Sequence, residues 1–322
     1  MINAAIVGFG WWGQTHARAI AGSGKIRAVK IVDAFPDKVR EAAKSFGLKV
    51  TDSYDEVLAD KSVDAVVLVT PHSQHTPQIL AAARAGKHVL TEKPFALSKA
   101  DAEKSVAAAR TAGIQLGLGH NSRHSSVIQA MKKLIDCGEL GHIVHAEFNM
   151  SHDVLVPVEG WRKSAEEAPA AGLYHMGIHA IDNFQYMLGR MTEAFGQTAT
   201  VGMTNDSALA VLRFANGATG YICNVTNTPM TIHMQILGTK GWVRRAGPDQ
   251  ILVAYKGRSP ELRDLAPLTQ EEQVRRNDEN FAAACEGKET YLITPEQMIH
   301  DVAVLETITA AIQARRPLPV PQ

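Results

Sequence analysis

The chain has 322 residues, with 33 Lys and Arg against 33 Asp and Glu, and it carries 13 histidines. At roughly 150 residues per domain this length predicts two domains, with cores large enough to need no disulfide staples. A zero formal charge provides no field to steer the chain onto nucleic acid or an anionic membrane, and no apolar run reaches the roughly 18 residues that span a bilayer. Cys137, Cys223 and Cys285 are far apart and odd in number, which suits a reducing cytoplasm and neither a disulfide nor a metal framework. The opening MINAAIVGFG lacks a basic region and runs directly into a strand pattern, so it reads as structure and not as a secretory leader.

In chain order, short β-branched runs alternate with Ala-rich helical stretches. Expected strands are Ala4 to Gly8, Ile26 to Asp33, the fully apolar Ala65 to Thr70, His88 to Thr91 and Gln115 to Gly119. Between them lie expected helices at Gln14 to Ala21, Pro36 to Phe46, Thr76 to Ala85 and Lys99 to Ala112, the last two closed by Gly86 and Gly113. This alternation predicts βαβ units and a doubly wound parallel sheet over residues 1–120. Beyond it the pattern changes to α+β, with an open and mostly antiparallel sheet over residues 121–322. A helix at Ser126 to Cys137 precedes period-two segments at His142 to Met150, Glu193 to Val201, Leu209 to Phe214, Thr219 to Asn224, Thr231 to Leu237, Trp242 to Arg244 and Ile251 to Ala254. Asn216-Gly217 marks a hairpin, and helices at Glu271 to Cys285 and Pro295 to Ala314 close the chain.

Gly8-Phe9-Gly10-Trp11-Trp12-Gly13 is a G-x-G-x-x-G motif that follows an expected strand and opens an expected helix, with Asp33 ending the next strand. Gly8 permits the tight turn, Gly10 lets a pyrophosphate approach the backbone, and Gly13 lets helix and strand pack closely. The helix N-terminus offers free N–H groups to the phosphates. The Asp33 carboxylate suits both ribose hydroxyls and would repel a 2′-phosphate, and Ala34, Phe35 and Pro36 follow with no Arg, so NAD is expected over NADP. The six loop residues, Phe9, Trp11 and Trp12 included, are candidate cofactor contacts; one of the two indoles could shape the active-site mouth, the alternative being packing.

Two further segments carry a resemblance. Thr70 to Pro94 (TPHSQHTPQILAAARAGKHVLTEKP) places Glu92-Lys93-Pro94 at a strand end, and Gly172 to Asp182 (GLYHMGIHAID) forms a second motif with Trp161-Arg162 ahead of it. Together with the fingerprint these resemble the Gfo/Idh/MocA oxidoreductases over essentially the whole chain. The resemblance implies a Rossmann domain that binds NAD, a second domain whose open sheet builds a homodimer or homotetramer, and oxidation or reduction of secondary alcohols on sugars and cyclitols. It implies a cis Lys93-Pro94 peptide and places Lys93 and His179 on the family's lysine and histidine. It also sets Thr70, Pro71, His72, His75, Glu92 and Lys93 beside the cofactor. His16 matches a family position and reads as a packing residue. The chemistry needs such a pair: a histidine with a pKa near 6.5 can take the alcohol proton, and an ammonium can hold the hydroxyl and stabilise alkoxide charge.

The chain departs from the pattern of the resembled family at two places. Three glycines and an Asp four residues before the histidine are usual, whereas here Pro169-Ala170-Ala171 and His175 stand there. His175, His179 and Asp182 are spaced i, i+4, i+7 and are expected on one helix face. His175 is read as a second acid/base or substrate contact, titrating as a unit with His179. The His-x-x-x-His spacing has Met176 where a zinc protease carries Glu, so no metal is expected. Asn121 and Arg123 are candidate substrate contacts or hinge hydrogen bonds, and Trp161 and Arg162 candidate pocket walls. The expectation is a cytoplasmic NAD-dependent dehydrogenase of a sugar or cyclitol, with substrate between the domains. The alternatives are a dihydrodiol or other cyclic-alcohol dehydrogenase, and a non-catalytic NAD-binding regulator.

Overall fold

Strand β1 (Ile2–Val7) is apolar because it is buried on both sides between two parallel neighbours, β2 (Ile26–Val32) and β4 (Ala65–Leu68). The computed structural model describes residues 1–151, 161, 164–170, 172–200, 206–226 and 228–322. Among these, six parallel strands form a sheet in the order β3-β2-β1-β4-β5-β6, completed by β3 (Lys49–Thr51), β5 (His88–Thr91) and β6 (Leu116–Leu118). The order reverses at the β1/β4 boundary, where doubly wound sheets open a crevice for ligands. The crossovers are α1 (Trp11–Ile20), α2 (Pro36–Ser45), α3 (Tyr54–Ala59), α4 (His72–Arg84) and α5 (Lys99–Ala112). β3 and α3 have no counterpart among the expected elements. At three and six residues they are too short to show a period.

The chain forms two compact units. One comprises Met1–Asn121 together with Thr269–Ile299, the other Ser122–Leu268 with His300–Gln322. Expected boundaries at residue 120 place 269–299 in the second block. Instead α8 (Gln270–Cys285), started by a Thr269/Glu272 capping box, packs on α1. Its buried Val274, Asp278 and Phe281 form one stripe.

In the second unit, α6 (Ser126–Asp136) leads into β7 (Ile143–Ser151), and a π-helical turn at Leu173–Gly177 leads into α7 (Ile178–Leu188). Then follow β8 (Met191–Ala199), β9 (Ser207–Phe214), β10 (Thr219–Asn224), β11 (Thr231–Gly238), β12 (Gly241–Arg245), β13 (Gln250–Tyr255) and β14 (Glu261–Asp264). After α9 (Pro295–Ala314), β15 (Leu318–Pro319) ends the chain's secondary structure. The described strands form one sheet, β14-β13-β12-β11-β7-β10-β9-β8-β15, antiparallel except where β10 runs parallel to β7. Asn216-Gly217 turns β9 into β10, with Gly217 at φ +88°. Along β9, Ala208, Ala210, Leu212 and Phe214 are buried and Leu209, Val211 and Arg213 are exposed. Phe184 of α7 packs edge-on against Phe148 and Phe214, so the helix covers that inner face. Val201, expected to end a strand, lies outside the described residues.

Candidate active site

Because β1, β2, β4 and β5 are parallel, Gly8, Asp33, Thr70 and Glu92-Lys93 all follow carboxyl ends on one edge of the first sheet. Gly8 has φ +89°, and a Cβ there would sit 2.6 Å from the Val69 carbonyl oxygen. A Cβ on Gly13 would sit 2.1 Å from the Gly8 carbonyl oxygen, so α1 closes directly onto the loop. Gly10 faces no protein atom within 4 Å of its would-be Cβ, and α1 starts without a side-chain cap. The loop therefore presents open backbone and first-turn N–H groups, which suits a pyrophosphate. Asp33 accepts the Phe9 N–H at 2.8 Å on one oxygen and the Phe35 N–H at 2.9 Å on the other. Each oxygen keeps a lone pair for a ribose hydroxyl. These residues fit the dinucleotide.

Several expected contacts are revised. The Phe9 side chain has no exposure and packs edge-on against Phe46, so it is core; its N–H belongs to Asp33. Trp11 is 69% exposed, whereas Trp12 is half-buried and meets the His16 ring edge-on. Thr70 bonds Gln78 through its hydroxyl, and Pro71 precedes α4. His75 is fully buried with its ring nitrogens against the carbonyl oxygens of Pro94 (2.9 Å) and Thr70 (3.1 Å). It holds the two loops to each other and offers the cofactor no surface. His72 is buried and lines a groove with Leu80, Leu97, Asp101 and Lys104.

The Lys93-Pro94 peptide is cis and Lys93 is half-buried. The Glu92 carboxylate, expected at the cofactor, is buried and turned inward. It faces His16 Nε2 at 3.2 Å and accepts the Lys93 backbone N–H at 3.2 Å. The other nitrogen of His16 lies 2.8 Å from Asp278 on α8. Burial pulls this imidazole toward neutrality. The charges and hydrogen bonds of Asp278 and Glu92 outweigh it, raising the pKa from 6.5 to about 10. Asp278 was absent from the expected site. Its one signal in the chain is an acid on the buried stripe of an amphipathic helix.

In the second unit, His175 sits in the π-helical turn and His179 in the first turn of α7, both half-buried. Such wide turns are frequent at functional sites. Asp182, expected on their face, is fully buried instead. It takes three N–H contacts from Arg123, two at 2.9 Å and one at 2.7 Å. Arg123 has no exposed surface, so this candidate substrate contact is an anchor for α7. Asp301 of α9 joins the cluster by accepting from Gln185 at 2.8 Å, and burial and the Asp182 charge push its carboxyl well above the usual range. Asn121 is buried at the end of the first unit, and Trp161 is half-buried. Arg162 and Ala171 lie outside the described residues.

Residues 2–120 match the model of the Gfo/Idh/MocA oxidoreductase family with an NAD-binding Rossmann fold, and residues 128–244 match the model of its C-terminal domain. The chain belongs to this family. It is 32% identical over 247 residues to the 1,5-anhydro-D-fructose reductase of Ensifer adhaerens, covering 71% of this chain and 74% of that protein. It is 28% identical to the inositol 2-dehydrogenase of Rhizobium meliloti (strain 1021), covering 88% and 89%. A levoglucosan dehydrogenase solved with NADH and L-sorbose shares the fold at TM-score 0.91 and 23% identity, covering 100% of this chain and 99% of that one.

The raised pKa makes His16 a pH-dependent contributor. Its stabilisation is complete below about pH 6.5 and is lost as pH rises through about 10. The urea midpoint of the wild type falls more steeply between about pH 7 and about pH 10 than that of His16→Gln; parallel profiles would contradict the charged histidine. Arg123→Met leaves Asp182 buried without its cation and lowers stability by about 3–5 kcal/mol. A loss below about 1 kcal/mol by urea titration would mean the pair is not holding α7.

Proposed function

We propose that the chain is an NAD-dependent dehydrogenase of a secondary alcohol on a sugar or cyclitol, with Lys93 and His179 as its catalytic pair. The observation that carries this is the position of Lys93, which follows β5 on the same sheet edge as the glycine loop and Asp33. The glycine loop and Asp33 would hold NAD, which would supply the hydride acceptor for the carbinol carbon. The Lys93 ammonium donates a hydrogen bond to the hydroxyl oxygen and stabilises the negative charge that develops there. The His179 imidazole takes the hydroxyl proton, a task suited to a base that titrates near neutrality. His175, one π-helical turn earlier, assists or tunes His179. Asp33 disfavours a 2′-phosphate and so NADP. Trp161 belongs to the pocket wall in this reading. The named activities of the similar reductase and dehydrogenase support a ring-shaped polyol over an open-chain substrate.

The open face of the second sheet carries exposed Leu209 and Val211, with Tyr221 and Cys223 beside them on β10. Apolar side chains clustered on a solvent face mark an association surface, and this supports a homodimer or homotetramer. The three cysteines form no disulfide, which fits a cytoplasmic protein. No helix among the described residues is long and apolar enough to cross a membrane.

A panel of inositols, 1,5-anhydro-D-fructose, levoglucosan and a trans-dihydrodiol, assayed at 340 nm with each nicotinamide cofactor in its oxidised and reduced forms, tests the activity. At least one ring alcohol or ketone turns over with NAD in preference to NADP, and Lys93→Ala and His179→Ala each lower kcat by about 10²- to 10⁴-fold. Tight NAD binding without turnover of any member, and unaffected by Lys93→Ala, would favour a non-catalytic NAD-binding regulator. Turnover of the dihydrodiol alone would shift the substrate class. For the assembly, Val211→Glu lowers the mass measured by light scattering to that of a smaller species. An unchanged mass would remove this face from the interface.

A further inference from the structure

We infer that His16, clamped between Asp278 and Glu92, is a positioning residue for Lys93, and that the three side chains form a buried acidic support for its ammonium. The inference rests on Lys93 being the catalytic lysine.

The geometry forms a relay within one compact unit. Asp278 of α8 meets one ring nitrogen at 2.8 Å, Glu92 meets the other at 3.2 Å, and the second Glu92 oxygen holds the Lys93 N–H at 3.2 Å. All three side chains are buried, His16 at 1% exposure and Asp278 at 0%. Space for the Glu92 carboxylate is made on purpose by the fold: a Cβ on Gly119, just past β6, would lie 2.1 Å from its Oε1. Trp12 closes the ring from its own helix at 6.2 Å, edge-on.

A ring facing a carboxylate at each nitrogen donates to both only as an imidazolium. With both carboxyls ionised against one imidazolium, one negative charge is left in surplus; burial and the Glu92 charge push the Asp278 carboxyl up, so the surplus is held only near a further cation. Two described neighbours do not supply it. Arg18, also on α1, is engaged with Glu271 at 2.7 Å, and Asn277 beside Asp278 is neutral and accepts from the Tyr291 hydroxyl. Lys93 is the cation next in the chain to Glu92: burial pushes the Glu92 carboxyl up, and the His16 hydrogen bond and charge, followed by the Lys93 charge, bring it below its usual range. By reciprocity the surplus charge favours the ammonium form of Lys93. A tie serving only to fasten α8 to α1 would not require Glu92 to take part.

Competitive labelling of the NAD-saturated enzyme with acetic anhydride across a pH series, read by mass spectrometry on the Lys93 peptide, reports the ionisation of this amine with no need of a substrate. Asp278→Asn and Glu92→Gln each remove the surplus charge while keeping shape and hydrogen-bonding capacity. Each moves the Lys93 labelling midpoint down by about one pH unit and lowers kcat on the active ring alcohol by about tenfold, with NAD affinity within about threefold of wild type. If both variants keep the wild-type midpoint and kcat while losing urea resistance, the cluster is only a structural tie and the inference falls. A Lys93→Met enzyme with wild-type kcat would instead overturn the assignment of the lysine itself, which separates the two failures.

Discussion

A buried imidazolium is the constraint on which the first compact unit is built. A charged His16 in the interior needs acceptors on both nitrogens and a nearby negative charge, and here two carboxylates from distant parts of the chain supply both. Glu92 arrives at the end of β5 and Asp278 on α8, which lies 262 residues beyond His16. Meeting that demand ties the helix that opens the glycine loop to the strand end that carries Lys93. It also draws α8 back to the first unit. The phosphate-binding loop and the lysine loop share one electrostatic foundation.

The second unit repeats the device with different chemistry. Arg123, entirely unexposed, is bonded to Asp182 on α7, and Asp301 of α9 lies in the same cluster through Gln185 and the Asp182 charge. One cation sits against the Asp182 carboxylate, and the Asp301 carboxyl, pushed toward its protonated form beside it, is contributed by the closing helices. A guanidinium suits this place because its planar fork matches a carboxylate and does not deprotonate. The helix anchored in this way is the one that presents His179. In each unit, then, the residue proposed to act is half-buried on a segment tied to a buried ionic cluster. Burial makes such clusters rigid, since a broken pair strands an uncompensated charge.

Much of the architecture was legible because the punctuation is strong. The apolar Ala65–Leu68 strand, the Gly86 and Gly113 helix stops, the Asn216-Gly217 turn and the Pro295–Ala314 helix follow from local rules. The glycine loop and Asp33 were legible as a constellation with a known physical purpose. Phe9, His75 and Glu92 have buried side chains for one shared reason. A motif tells which segment approaches the cofactor, but not which way each side chain turns, and these three turn inward to satisfy core packing or buried partners. Arg123 was misread because a basic residue ordinarily snorkels to water, and its partner Asp182 lies 59 residues away. β3, α3 and β14 are too short or too polar to register a period. Asp278 and Asp301 were invisible as site residues because nothing local announces which unit a C-terminal helix will join.

The most direct test of this account is the protonation state of His16. In ¹⁵N-histidine spectra recorded at about pH 8.5, where an ordinary imidazole is neutral, His16 is predicted to show both ring nitrogens protonated, losing the second proton only toward pH about 10. A neutral His16 at that pH, with one bare nitrogen, would contradict it.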